Sequence, residues 1–174
     1  MTLKYLLSRV SNILLALVLM MFTHSLLASG TGHPHHESME SGSMAEESNF
    51  GKPGLVANVV RTIEVSMGDN MRFTPDTINI KQGETIRFVI KNTGTTDHEM
   101  VLGTSEDIRE HREMMKKMPG MVHADPNSVR VKPGKSGEII WNFDLAGDFE
   151  FACLIPGHSE AGMKGNIIVQ SLTP

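Results

Sequence analysis

Short runs in which apolar and polar residues alternate recur from residue 57 to the end of the chain, and each run predicts a β-strand. The alternation is clearest over residues 59–67 and 85–92, where the second run places Ile86, Phe88 and Ile90 on one face. Further short strands are predicted over residues 77–81, 98–102, 129–131, 136–143, 148–152 and 165–170. Many short strands separated by turns predict an all-β sandwich or barrel of about seven or eight strands.

Residues 104–118 interrupt this β pattern and predict one short helical insert. Thr104 can cap the first turn, which is acidic, and Lys116 and Lys117 lie in the last turn, so the charges match the helix dipole. Four side chains fall near one face at helical spacing: Ile108, His111, Met115 and Met118. Pro119 and Gly120 predict the end of the helix.

The N-terminal part of the chain lacks the strand pattern. Residues 1–28 combine a basic start, a short apolar stretch and small final residues, which is typical of a cleaved secretory signal peptide; an uncleaved anchor is the alternative. Residues 29–54 are rich in Ser, Gly, Glu and His and predict a flexible arm. We therefore expect a signal peptide over 1–28, an arm over 29–54 and one domain over 55–174, in a periplasmic protein.

Composition narrows the possible functions. Cleavage would leave about 145 residues, enough for one domain with a single core. The formal net charge of −4 makes the chain a poor nucleic-acid binder. Cys153 is the only cysteine, so no intrachain disulfide can form, and metal ligation would both protect and use an exported thiol. We expect a monomer with no stable membrane insertion after cleavage.

The segment that begins at Cys153 carries the most specific chemistry in the sequence. Cys153, His158 and Met163 follow one another with four residues between successive donors, and His98 lies upstream. Two His, one Cys and one Met are the ligand set of a mononuclear copper electron-transfer centre, in which Met is the weak axial ligand. A structural zinc site would contain more Cys and no Met. A cysteine hydrolase is disfavoured because no helix follows Cys153.

The loop between these donors contains residues that let the chain turn back to a single metal ion. The preceding strand ends at Cys153, and a bend at residues 156–157 lets His158 return to the same metal. Gly162 gives the next turn conformational freedom before Met163. His98 must then come from the end of a neighbouring strand, so only the folded sandwich can assemble the site.

At Asp97-His98-Glu99-Met100 and at residues 153–165 the chain resembles a cupredoxin, the superfamily of azurin and plastocyanin, over residues 57–170. The resemblance implies a Greek-key sandwich in which His98, Cys153 and His158 are equatorial copper ligands and Met163 is axial. It also implies two backbone N–H groups aimed at the thiolate, from Glu99 and from the loop after Cys153. Many members have Asn at the position of Glu99, which leaves the usual pairing of that side chain open here.

The arm and the helical insert favour the small periplasmic copper-tolerance cupredoxins of proteobacteria, which the chain also resembles. The insert holds His111, Met114, Met115, Met118, Met121 and His123, and the arm holds His33, His35, His36, Met39 and Met44. These side chains are candidates for additional Cu(I). The alternatives are that Met115 and Met118 pack the helix onto the barrel and that the arm is a solvated linker.

The resemblance implies a type 1 copper protein that performs one-electron Cu(I)/Cu(II) redox in copper tolerance. An electron shuttle to a respiratory redox partner and a copper chaperone are the alternatives. We expect a redox carrier with no catalytic residues, although a cuprous-oxidase-like activity is compatible with it. The chain is too short for a multicopper oxidase or a nitrite reductase.

Overall fold

The computed structural model describes residues 48–118, 121 and 125–172. The predicted signal peptide, most of the predicted arm with its His and Met residues, and His123 lie outside the described residues. The described part of the chain has ten strands and one α-helix. The strands are β1 (Lys52–Pro53), β2 (Arg61–Gly68), β3 (Arg72–Thr74), β4 (Thr77–Lys81), β5 (Thr85–Asn92), β6 (His98–Gly103), β7 (Ser128–Val131), β8 (Ser136–Asn142), β9 (Gly147–Ala152) and β10 (Lys164–Gln170). The helix is α1 (Ser105–Lys117).

The strands form two five-stranded sheets, in the orders β1-β8-β5-β2-β3 and β4-β10-β9-β6-β7. The pairs β2–β5 and β4–β10 are parallel, and the remaining pairs are antiparallel. The all-β sandwich predicted from alternation is confirmed. The structure adds β1 and β3, which have two and three residues and are therefore too short to show alternation in the sequence.

The hydrophobic core lies between the sheets and extends to the loop that follows Cys153. Ile86, Phe88 and Ile90 of β5 are fully buried, as their alternation predicts. The same apolar cluster contains Cys153 and Met163, both without solvent exposure. Two of the predicted copper ligands are therefore also core side chains, held in place by close packing.

Part of the predicted arm belongs to the packed domain. Phe50 is only 3% exposed, and its ring stacks on Trp141 with ring centroids 4.8 Å apart. The Nε1–H of Trp141 donates to the Phe50 carbonyl oxygen over 3.2 Å, and β1 pairs with β8 directly afterwards. The domain thus includes residues 48–54 and extends beyond the predicted start at residue 55, because the one aromatic side chain of the arm finds a place in the core.

The helix predicted from charge order and capping is confirmed. Thr104 is the N-cap, its hydroxyl accepts from the Asp107 N–H, and the Asp107 carboxylate accepts from the Thr104 N–H, which completes a capping box. Ile108 and Met115 are buried, and they pack in a cluster with Val101, Ala152 and Leu154 of the β6–β9 region. In the described part of the chain, no helix has the length and apolar character needed to cross a membrane.

Candidate metal centre

The pairing of β6 with β9 brings the two distant parts of the site together. The strands are antiparallel with Val101 opposite Ala152, so the start of β6 and the end of β9 lie at the same edge of the sandwich. His98 is the first residue of β6, and Cys153 directly follows β9. The prediction that His98 arrives from a neighbouring strand end is confirmed.

Three of the four predicted donors converge on one point. The Nδ1 atoms of His98 and His158 are 3.2 Å apart, and the Cys153 Sγ lies 3.3 Å from the Nδ1 of His158. The donor atoms of the three residues all lie within 4.8 Å of one another. His98 and Cys153 are buried and His158 is half-buried, so one ion at this point would be largely shielded from solvent.

Backbone hydrogen bonds within the loop hold Met163 next to Cys153 and His158. The Cys153 N–H donates to the Met163 carbonyl oxygen, and the Met163 N–H donates to the His158 carbonyl oxygen, both over 3.0 Å. The bends on either side use Gly157 and Gly162, with φ values of 90° and 104°, a region that glycine adopts readily. The Met163 side chain is fully buried.

Arg72, at the start of β3, secures the far side of this loop. Its Nη1 donates to the carbonyl oxygens of Met71 and Ala161 over 2.7 Å. A Cβ at Gly162 would lie only 2.5 Å from this Nη1, so a larger residue there would displace the guanidinium from the loop. The sequence gives no signal for Arg72, because the contact joins distant parts of the chain.

The thiol of Cys153 is desolvated and hydrogen-bonded by the backbone. Burial raises its pKa to about 12, while hydrogen bonds from the N–H groups of Glu99 and Ile155 oppose that rise. The Glu99 nitrogen lies 3.5 Å from Sγ. The expected pair of N–H donors is therefore present, from Glu99 and from the loop. Because a metal binds the thiolate, loading would release the Cys153 proton.

The side chain of Glu99 links the two ligand segments. Its Oε1 accepts a 3.0 Å hydrogen bond from the Leu154 N–H, next to Cys153, and its Oε2 lies 3.5 Å from Nε of Arg130. Glu99 is 9% exposed, so the bond is largely shielded from water. Where many cupredoxins have Asn, this chain thus has a carboxylate that connects the first ligand strand to the cysteine loop.

Asp69 orients His98 from the turn between β2 and β3. Its Oδ1 lies 3.1 Å from Nε2 of His98, which leaves Nδ1 directed at the cluster. Hydrogen bonds from Thr95, and further ones from Thr96 and His98, hold the pKa of the Asp69 carboxyl well below its usual range. In the sequence this segment is recognisable only as a turn, and no motif points to its contact with the metal site.

His158 is poised to act as a neutral ligand. Burial, followed by the nearby His98, lowers the pKa of its imidazole. A neutral imidazole is the form that binds metals. One soft sulfur donor, two imidazoles and a buried thioether fit copper in both oxidation states better than they fit zinc, since structural zinc sites use more Cys and no Met.

The structure separates the side chains of the Met-rich insert into two groups. Met115 is 1% exposed and packs in the helix–sheet cluster, whereas Met118 and Met121 are 41% and 37% exposed. Met114 and His111 are half-buried. The alternative that these methionines pack the helix onto the barrel is therefore confirmed for Met115 and wrong for Met118.

The end of this helix lies beside the ligand loop. Nζ of Lys116 is 3.5 Å from Oε1 of Glu160, two residues after His158.

Comparison with known proteins gives a consistent result. The model of the copper-binding proteins of the plastocyanin/azurin family matches residues 59–170. The copper-resistant cuproprotein CopI of Rubrivivax gelatinosus is 51% identical, over 80% of this chain and 85% of that protein. The protein of the same name from Pseudomonas aeruginosa is 43% identical, over 70% of this chain and 82% of that protein.

Among solved structures, dithionite-reduced auracyanin from Roseiflexus castenholzii superposes with a TM-score of 0.56. It is 27% identical and covers 64% of this chain and 98% of its own length.

Proposed function

This chain belongs to the plastocyanin/azurin family of copper-binding proteins, and on that basis we propose that it holds one type 1 copper ion. His98, Cys153 and His158 are the equatorial ligands, and Met163 is the weak axial ligand. The observation that carries the proposal is the convergence of the three donors within 4.8 Å in a largely buried site. The backbone bonds from Met163 to Cys153 and His158 support the fourth ligand.

Copper, when bound, supplies a one-electron Cu(I)/Cu(II) couple. The role of the protein is to fix the donors in one arrangement that both oxidation states accept. Asp69 fixes the ring of His98, Glu99 ties the cysteine loop to β6, and Arg72 secures the loop before Met163. Because these contacts come from separate parts of the fold, the donors have little freedom to move during electron transfer.

We further propose that this redox chemistry serves copper tolerance in the periplasm. The relatives named copper-resistant cuproproteins support the physiological role, and the presequence predicted over residues 1–28 supports export. The exposed methionines at the end of α1 support contact with Cu(I), since thioethers bind that ion without losing a proton.

Optical and EPR spectra of the Cu(II)-loaded protein test the centre directly. We expect an intense thiolate-to-copper band and narrow copper hyperfine splitting, both lost in Cys153→Ser. An unmodified protein without the intense band would contradict the type 1 assignment.

A deletion strain tests the physiological role. We expect copper sensitivity that the unmodified gene reverses and Cys153→Ser does not. Normal copper tolerance together with slowed respiration would instead support an electron shuttle. The partial exposure of His158 favours that second candidate, since it gives a redox partner a short approach to the centre.

A further inference from the structure

We propose that the thioethers of Met114, Met118 and Met121 form a second site, selective for Cu(I), at the C-terminal end of α1. This inference deepens the proposed copper-tolerance function and rests on it for its physiological meaning. The binding itself is independent of the type 1 centre, because it uses none of that centre's ligands.

The backbone holds Met114, Met118 and Met121, the methionine cluster, close together at the end of the helix. Met114 and Met118 are one turn apart, and the Met118 N–H donates to the Met114 carbonyl oxygen over 3.0 Å. Side chains at this spacing are neighbours on a helix surface. The Met121 N–H donates to the Met118 carbonyl oxygen over 3.1 Å, which keeps Met121 close to Met118.

Packing does not account for these side chains. Ile108 and Met115 already anchor the helix to the sheet, at 0% and 1% exposure. Met118 and Met121 are 41% and 37% exposed, and Met114 is half-buried. Single exposed apolar residues are ordinary, but three neighbouring residues with the same sulfur donor offer a soft ligand set.

The chemistry of the methionine cluster favours Cu(I) over harder ions. Thioethers are neutral and polarizable, so they bind soft monovalent copper and have little affinity for magnesium, calcium or zinc. Lys116 lies nearby, but its ammonium group is paired with Glu113 at 2.8 Å and approaches Glu160 at 3.5 Å. These carboxylates offset the positive charge that would otherwise repel a cation.

The position of the methionine cluster connects it to the type 1 centre. Met115, which lies between Met114 and Met118 in the chain, packs in one cluster with Leu154, the residue after Cys153. Lys116 reaches Glu160 in the ligand loop. A Cu(I) ion held by Met114, Met118 and Met121 would therefore be captured beside the loop that carries His158 and Met163.

Methyl NMR of the protein labelled at the methionine methyl groups tests both sites in one anaerobic Cu(I) titration. We expect the first equivalent to move the Met163 signal and a further equivalent to move those of Met114, Met118 and Met121. The Met115 signal serves as the internal control and stays in place. Movement at the helix without movement of Met163 would refute the type 1 ligand set and leave the second site standing.

The proposal is overturned if added Cu(I) moves none of the three helix signals, or moves only those of Met39 and Met44. A triple variant, Met114→Leu with Met118→Leu and Met121→Leu, keeps side-chain size and helix propensity. We expect it to bind one Cu(I) fewer, or to bind the additional ion at least about tenfold more weakly, at about 1.4 kcal/mol per tenfold.

A matched control replaces Met39 and Met44 by Leu and should retain the additional Cu(I). The type 1 absorption band of the triple variant should be unchanged, which shows that the protein is folded. Full retention of the second equivalent by the triple variant would refute the site. If that variant fails to fold, the titration of the unmodified protein still decides the question.

Discussion

At the scale of single residues, Asp69 contacts Nε2 of His98, the ring nitrogen that faces away from the other donors. Its carboxylate lies 3.1 Å from Nε2, and an anion in that position makes a metal-bound imidazole a stronger donor. Stronger donation favours the more positive Cu(II) state. We therefore expect Asp69→Asn to raise the reduction potential by on the order of tens of millivolts, where 59 mV is a tenfold change for one electron.

Redox titration of the optical band measures this shift, and Asp97→Asn is the matched control. Asp97 is exposed and precedes His98 in the chain, so its replacement removes the same charge without touching the ring nitrogen. An equal rise in both variants would assign the effect to surface charge alone. A fall in potential for Asp69→Asn would contradict the argument.

Glu99 contributes to the folding stability of the copper-free protein as well as to the geometry of the site. Replacement by Ala removes the acceptor of the largely buried Leu154 N–H, and an unsatisfied donor costs about 1–3 kcal/mol. We expect Glu99→Ala to lower the free energy of unfolding of the copper-free protein by that amount, measured by urea denaturation. Glu99→Gln retains an oxygen acceptor and should cost less. Equal losses would mean that the charge toward Arg130 matters more than the hydrogen bond.

The convergence of His98, Cys153 and His158 could be predicted from the sequence, whereas the residues that support them could not. Cys153, His158 and Met163 are recognisable because local spacing carries the pattern. Asp69, Arg72 and the side-chain role of Glu99 depend on which strand ends meet, and that is set by sheet pairing between distant segments.

At the scale of elements, the loop between Cys153 and Met163 depends on two glycines for different reasons. Both Gly157 and Gly162 have positive φ, but a Cβ at Gly157 meets nothing within 4 Å, whereas one at Gly162 meets Nη1 of Arg72 at 2.5 Å. We expect both alanine variants to cost about 1–2 kcal/mol for the left-handed backbone.

Only Gly162→Ala should also change the Cu(II) spectrum, because its Cβ would push the Arg72 guanidinium away from the Ala161 carbonyl oxygen. Gly157→Ala is therefore the control for backbone strain alone. The optical band and the urea midpoint measure the two effects separately. An unchanged band in Gly162→Ala would show that Arg72 yields without moving the loop before Met163.

The helix and the strands differ in how clearly the sequence predicts them. Helix α1 follows from its cap and charge order, and β5 follows from the spacing of Ile86, Phe88 and Ile90. In β10 burial alternates strictly, although three apolar residues follow one another over residues 167–169. The short β1 and β3 have no period to detect, and they exist because longer neighbours offer free edges.

At the scale of the whole molecule, the sandwich closes with help from residues that precede the first predicted strand. The composition of residues 29–54 is that of a linker, and the role of Phe50 within it depends on a partner far along the chain. Phe50 stacks on Trp141 and also approaches Phe149, with ring centroids 6.1 Å apart. Composition averages over a window and therefore misses a single anchoring side chain.

We expect Phe50→Ala to lower the free energy of unfolding by about 3–5 kcal/mol, the usual cost of deleting a buried aromatic side chain. That is a large share of the 5–15 kcal/mol typical of a domain, so the urea midpoint should fall clearly while the slope stays constant. Leu55→Ala is the control: Leu55 is 68% exposed, and its loss should cost less than about 0.5 kcal/mol. Equal small losses in both variants would show that the sandwich is complete without Phe50 and that the domain does begin at residue 55.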